Sequence, residues 1–152
     1  MNNRYEQLET ELSDLLQGLF FDCKPLPDCE ADFFKSFKPH VYVMYDNSDY
    51  PEGENLGMVV QEDKMKIGFE IHARTRRGIE GIFAIQKIIY KKILGYKPFG
   101  CDKLQLVSFG PLTGNSPNNW LYYAQFNTVS HIAESGEEPD LPLLQNVTFD
   151  II

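Results

Sequence analysis

Between Met65 and Ile132 the chain leaves itself few ways to fold. Met65, Ile67, Phe69, Ile71 and Ala73 alternate with Lys66, Gly68, Glu70, His72 and Arg74, so a strand here buries one face and wets the other. The cationic turn Arg74, Thr75, Arg76, Arg77, Gly78 follows, and then an apolar stretch of helical period over about 79–94. Ile82, Ile85, Ile89 and Ile93 form its stripe, Ile79, Phe83 and Ile88 widen it, and Glu80, Ala84, Lys87 and Lys91 line the far side. Lys91 and Lys92 complement the dipole in its last turn, and Gly95 is the expected cap. After a turn at Lys97, Pro98 and Gly100 come a strand over 104–109, a long loop over 110–119 and a longest strand over 120–132. Trp120, Tyr122, Ala124, Phe126 and Thr128 share one face of that strand, and Leu121, Tyr123, Gln125, Asn127 and Val129 the other.

The flanks add less regular pieces. Leu8, Leu12, Leu15, Leu16, Leu19 and Phe20 recur at three-to-four spacing among Glu6, Glu9, Glu11 and Asp14, which predicts an amphipathic helix over 3–17 ended by Gly18. Pro25 and Pro27 predict an ordered loop over 22–28, and 31–37 a further helical turn that packs Phe33, Phe34 and Phe37 inward. A strand is expected over 40–45, an exposed mobile loop over 46–55, a short strand over 57–61 and a turn at Glu62, Asp63 and Lys64. The sum is an α+β fold: a single mostly antiparallel sheet of four to five strands packed against two main helices over residues 1–132. Residues 133–152 read as an acidic linker and a C-terminal extended arm or strand, and an apolar arm needs a surface to lie on.

At 152 residues the chain suits one domain, and 43% apolar with 13% aromatic residues suit a packed core. The polar start carries no secretory or membrane-spanning run, so a soluble protein made in the cytoplasm is expected. Cys23, Cys29 and Cys101 are odd in number and form no CxxC pair, which predicts free thiols rather than a disulfide framework or zinc knuckle. The net charge of −8 is unevenly spread. Residues 1–63 hold 4 basic and 14 acidic side chains, residues 64–103 hold 10 and 3, and residues 104–152 hold none and 5. A basic middle between acidic flanks can satisfy itself within one fold or between copies. Sequence-specific or general duplex binding is not expected, because phosphate neutralisation needs a dominant positive face.

Chemistry finds little material. GxGxxG, Walker, HExxH and GxSxG patterns are absent. His40, His72 and His131 with Cys101 or Glu70 could be imagined around a metal, but the spacings match no familiar ligand pattern, and neither metal nor cofactor is expected. Glu70 and His72 would project from one strand face, as a base with its orienting group or as a plain surface hydrogen bond; the second is preferred. The turn at 74–78 could hold an anion through backbone amides and arginines, or be a solvated turn meeting acidic side chains, which is preferred. Trp120, Tyr122 and Tyr123 could stack bases, yet without basic residues between them packing is the better account.

Gly-Ile-Phe-Ala-Ile at 81–85, Leu-Gly-Tyr-Lys-Pro at 94–98 and Trp-Leu-Tyr-Tyr-Ala-Gln-Phe at 120–126, with the order of elements over 1–132, resemble the tail terminator (tail completion) family of Mu-like contractile-tailed phages and related prophages. The sequence departs from it in the acidic loop at 46–55. The resemblance implies a structural virion protein at the neck-proximal end of the tail. Its subunits would form a homo-oligomeric ring, expected to be a hexamer, that caps the tail tube protein, anchors the tail sheath protein and meets a head-tail connector or neck protein. No catalysis is implied. Arg74, Arg76, Arg77, Lys87, Lys91 and Lys92 are the candidates for a positive contact patch, and Asp46, Asp49, Glu52 and Glu54 for a negative one. An acidic immunity or inhibitor protein, and last a small enzyme on the Glu70 and His72 face, are the alternatives.

Overall fold

The computed structural model describes residues 3–35, 38–55 and 57–133. Among the described residues six strands make one mixed sheet, and two α-helices pack on a single face of it. Helix α1 (Arg4–Asp14) starts where the Asn3 side chain accepts from the Glu6 amide at 2.9 Å. Strand β1 (Asp22–Pro25) pairs in parallel with β2 (His40–Asp49), and β2 pairs antiparallel with β4 (Val59–Ala73). The two-residue β3 (Glu54–Asn55) folds back on the start of β4. Helix α2 (Ile82–Ile93) connects β4 to β5 (Gln105–Pro111), and β6 (Trp120–Ala133) lies between β4 and β5. The order is β1-β2-β4-β6-β5. The expected C-terminal arm lies outside the described residues.

The core follows the alternation. Met65, Ile67, Phe69 and Ile71 of β4, Val41 and Val43 of β2, and Ala124 and Phe126 of β6 face Leu8, Leu12 and Leu16 from α1 and the isoleucine stripe Ile82, Ile85, Ile89 and Ile93 of α2. Each such aliphatic chain, fully withdrawn from water, contributes about 1.5–3 kcal/mol. The opposite face is polar and is covered along one half by the segment joining β1 to β2, where Phe33 and Phe34 pack on Tyr42.

Several expectations are corrected. Residues 22–25 form an edge strand despite Pro25: the Asp22 and Leu26 amides donate to Pro39 and Val43, so the nitrogen of Pro25 faces away from β2, where no donor is needed. Glu62, Asp63 and Lys64 form no turn but continue β4, with Asp63 buried and accepting from the Tyr5 hydroxyl at 2.8 Å. Asp46 to Asp49 complete β2, and Glu54 and Asn55 are β3, so half of the acidic stretch is paired backbone and only 50–53 are loop. The helical turn near 31 is a 3-10 turn over Glu30–Asp32; Phe33 and Phe34 lie half-buried on the polar face, and Phe37 is outside the described residues. Helix α2 begins at Ile82, which leaves Ile79 89% exposed instead of widening the stripe. Two extra short strands therefore raise the expected four or five to six.

Candidate functional site

The cationic turn sits at the end of the sheet where Ala73 of β4 faces Trp120 of β6. Glycine is required where α2 packs back on it: a Cβ on Gly81 would meet the Arg77 and Arg76 carbonyl oxygens at 2.5 and 2.7 Å. That tightness takes up the helix start, because the Ile82 and Phe83 amides donate to the Thr75 and Arg76 carbonyls at 3.0 Å each. These amides are not available as an anion cradle, and what the turn offers is guanidinium groups. Arg76 is held with its Nε donating to the Tyr122 hydroxyl at 3.1 Å and its guanidinium 5.4–5.5 Å from the Trp120 and Phe83 ring centres. Within the chain the Arg76 contacts are therefore aromatic. Arg74 and Arg77 are exposed and, with Asn118 and Trp120, border an open cleft of about 490 Å³.

Lys87, Lys91 and Lys92 are exposed on the outer side of α2. Lys91 and Lys92 stand at its far end, about 14 Å along the axis from its first residue, Ile82. The structure therefore divides the six candidate cations between two places. The acids are divided as well. Asp46 accepts from the Tyr123 hydroxyl and from Gln125 Nε2, within the polar face of the sheet. Asp49 pairs in register with Lys64 and shares a cleft with Lys66 and Lys103. Glu52 and Glu54 remain as exposed acids beside the start of β4.

On the polar face His40 and His72 stack at 4.5 Å, and His72 Nε2 meets Glu70 Oε1 at 2.8 Å. Burial first, and then the neighbouring His72, push the His40 pKa below its usual range. His131 is far along β6, opposite Glu62, and Cys101 is buried with its Sγ toward the Phe99 carbonyl. Among the described residues no group of three or more His, Cys, Asp or Glu side chains is placed to hold a metal. Tyr123 crosses above Gly68 to reach Asp46, and burial, then the hydrogen bond to that carboxylate, raises its pKa. Among the described residues no helix is long and apolar enough to cross a membrane.

The Gp37 protein family matches residues 20–151, most of the chain. The chain belongs to that family. Gp37 proteins are phage proteins, and the chain is accordingly a phage protein of structural or assembly type. No curated protein matches it.

Sequence reading missed the ties between α1 and the rest of this Gp37 chain. Glu9 accepts from the Tyr45 amide at 2.7 Å where β2 bulges against β4, and burial raises the Glu9 pKa. Glu11 accepts from the Tyr96 hydroxyl and the Phe99 amide. Tyr5 stacks on Tyr45 and links Asp63 to Tyr50. The available signal was the position of Glu9 beside Leu8 and Leu12, at the margin of the apolar stripe.

Proposed function

We propose that this Gp37 chain is a tail terminator: a subunit of a closed ring, expected to be a hexamer, that caps the head-proximal end of the tail. The ring stops polymerisation of the tail tube protein, holds the last ring of sheath protein and presents a surface to the head-tail connector or neck protein. It makes and breaks no covalent bonds, and its place is the neck-proximal end of the virion tail. Membership of a phage family supports this reading. The observation that carries it is the placement of unlike charges at the two ends of one strand. Arg74, Arg76 and Arg77 follow the last residue of β4, while Glu54 pairs beside its second residue, Val60, roughly 45 Å away. Head-to-tail contacts in a ring join two different patches, and opposite charges at opposite ends suit them.

Electron microscopy of particles made with and without the gene tests the reading. Overlong or headless tails are expected in its absence, and shafts of normal length carrying heads would overturn it. Reversing Arg74 and Arg77 to Glu should reproduce the loss, and reversing Glu52 and Glu54 to Lys in the same chain should restore part of it.

A further inference from the structure

We propose, building on the ring reading above, that the hairpin joining β2 to β4 in one copy docks in an apolar trough between α2 and β5 of the next. Helix α1 lies over β1 and β2 and helix α2 over β4 and β6, so among the described residues neither helix covers the helix-side face of β5. What shows there is apolar. Leu106 and Phe109 pair in register with the core residues Phe126 and Ala124 and so share their face, yet Leu106 stays 38% exposed. The wall of the trough is the adjoining flank of α2, where Phe83 and Tyr90 stand edge-on to Tyr122 and Phe109. The capping residue Leu94, one turn beyond Tyr90, is 50% exposed. Lys87 and Lys91, four and eight residues after Phe83, form the outer rim; both are exposed and neither meets an acid among the described residues. One mouth of the trough is the cationic turn, since Arg76 packs on the same Phe83 ring.

An aromatic and aliphatic floor under a cationic rim fits an apolar segment that carries acids. This chain displays one. Residues 49–62 hold four acids and no base. Asp49, Glu52 and Glu54 are exposed on the hairpin, with Tyr50 and Met58 49% and 44% exposed beside them.

The two surfaces cannot meet within one copy. Glu54 pairs beside Val60, whereas Leu106 pairs beside Phe126, which faces Ile67. The hairpin and the trough are therefore about 23 Å apart along the strands and, with β3 and β5 on opposite sides of β4, about 14 Å apart across them. The hairpin is also held in place, by its pairing with β4, by Gln61 Nε2 donating to the Pro51 carbonyl at 3.2 Å and by the contact of the Tyr50 and Tyr5 hydroxyls at 2.9 Å. Each copy thus gives one hairpin and receives one, a heterologous contact that repeats around a ring.

Charge swaps at exposed positions of the full chain test this without touching the core. Sedimentation velocity should show concentration-dependent association, roughly tenfold weaker in Lys87→Glu/Lys91→Glu and in Glu52→Lys/Glu54→Lys, and recovered in the chain that carries all four changes. A merely structural role of these residues would not produce that recovery. Hydroxyl-radical footprinting should show oxidation of Met58, Phe83 and Leu106 falling together as concentration rises, and independent of concentration in either double variant. A chain that stays monomeric, a quadruple variant no better than the doubles, or Phe83 and Leu106 protected while Met58 stays reactive would each overturn the proposal, the last by placing another occupant in the trough. Tail length answers separately: regular tails built with Lys87→Glu/Lys91→Glu would overturn the contact and leave the terminator role intact, and association through the trough in a chain whose loss leaves tails regular would do the reverse.

Discussion

Replacing Gly68 by alanine should cost stability only because Tyr123 lies above it. A Cβ at position 68 would sit 1.6 Å from the Tyr123 hydroxyl and 2.0 Å from Cζ, so the phenol must swing aside. Swinging aside breaks its hydrogen bond to Asp46, which spans β4 from β6 to β2. A hydrogen bond to a charged group is worth about 1.5–3 kcal/mol, and alanine returns about 0.5–1 kcal/mol over glycine in a strand. The net loss should be about 1–2 kcal/mol, or roughly 2–8 °C in melting temperature for a chain of this size. Asp46 keeps Gln125 Nε2 at 2.8 Å, which holds the carboxylate in place and keeps the loss from growing. Thermal and urea melts of the unaltered chain, Gly68→Ala, Tyr123→Ala and the double variant form a cycle. On the Tyr123→Ala background the same glycine change should stabilise by about 0.5–1 kcal/mol, since the obstacle is gone. Equal losses on both backgrounds would refute the reasoning.

Three further expectations can be measured on the same material. The pKa of Glu9 is raised by burial above the ordinary 4.5, so the folded state favours its protonated form; relative to Glu9→Gln, the unaltered chain should lose stability as pH rises through the range just above 4.5, and urea midpoints at pH 4 and pH 7 would show it. His40 is shifted the other way, below 6.5, by burial and then by His72, so its contribution is present above 6.5 and lost as pH falls; His40→Phe, which keeps the ring stack, should lose less stability between pH 7.5 and 5.5 than the unaltered chain. Of the three cysteines, Cys29 is exposed while Cys23 and Cys101 are buried, with burial pushing the Cys23 thiol up to about 12; a colourimetric thiol reagent at pH 8 should titrate one group quickly in the native protein and three after denaturation.

The helix-facing half of the molecule was legible because its signal is periodic. Alternation in 65–73 and 120–128 placed the core residues of β4 and β6 on their face, and the spacing of Ile82, Ile85, Ile89 and Ile93 defined the helix that covers them. What escaped depends on partners far away in the chain. Pro25 argues against a strand until one knows which side of it is paired, and Glu62, Asp63 and Lys64 look like a turn until Tyr5 supplies the hydroxyl that lets Asp63 be buried. Ile79 fits the helical spacing, but Gly78 at φ 94° and the crowding at Gly81 delay the helix by three residues. The candidate charges could be named but not grouped. Local sequence could not foresee that Asp46 turns to Tyr123, or that Lys91 and Lys92 end up a helix length from Arg76.

Strand β6 is twice as long as β5, 14 residues against 7, and the overhang is finished by something other than a strand. Past Asn127 its rim is closed by three bonds to an irregular segment: Asp102 amide to Val129, Thr128 hydroxyl to Asp102, and Ser130 hydroxyl to Gly100. Two buried hydroxyls thus do for that rim what a ladder does elsewhere. Valine at 128 together with alanine at 130 would remove two of the three fastenings and leave the Asp102 to Val129 bond alone to hold that segment over the rim. Clumping of this protein could then begin without global unfolding, from the loss of two oxygen atoms.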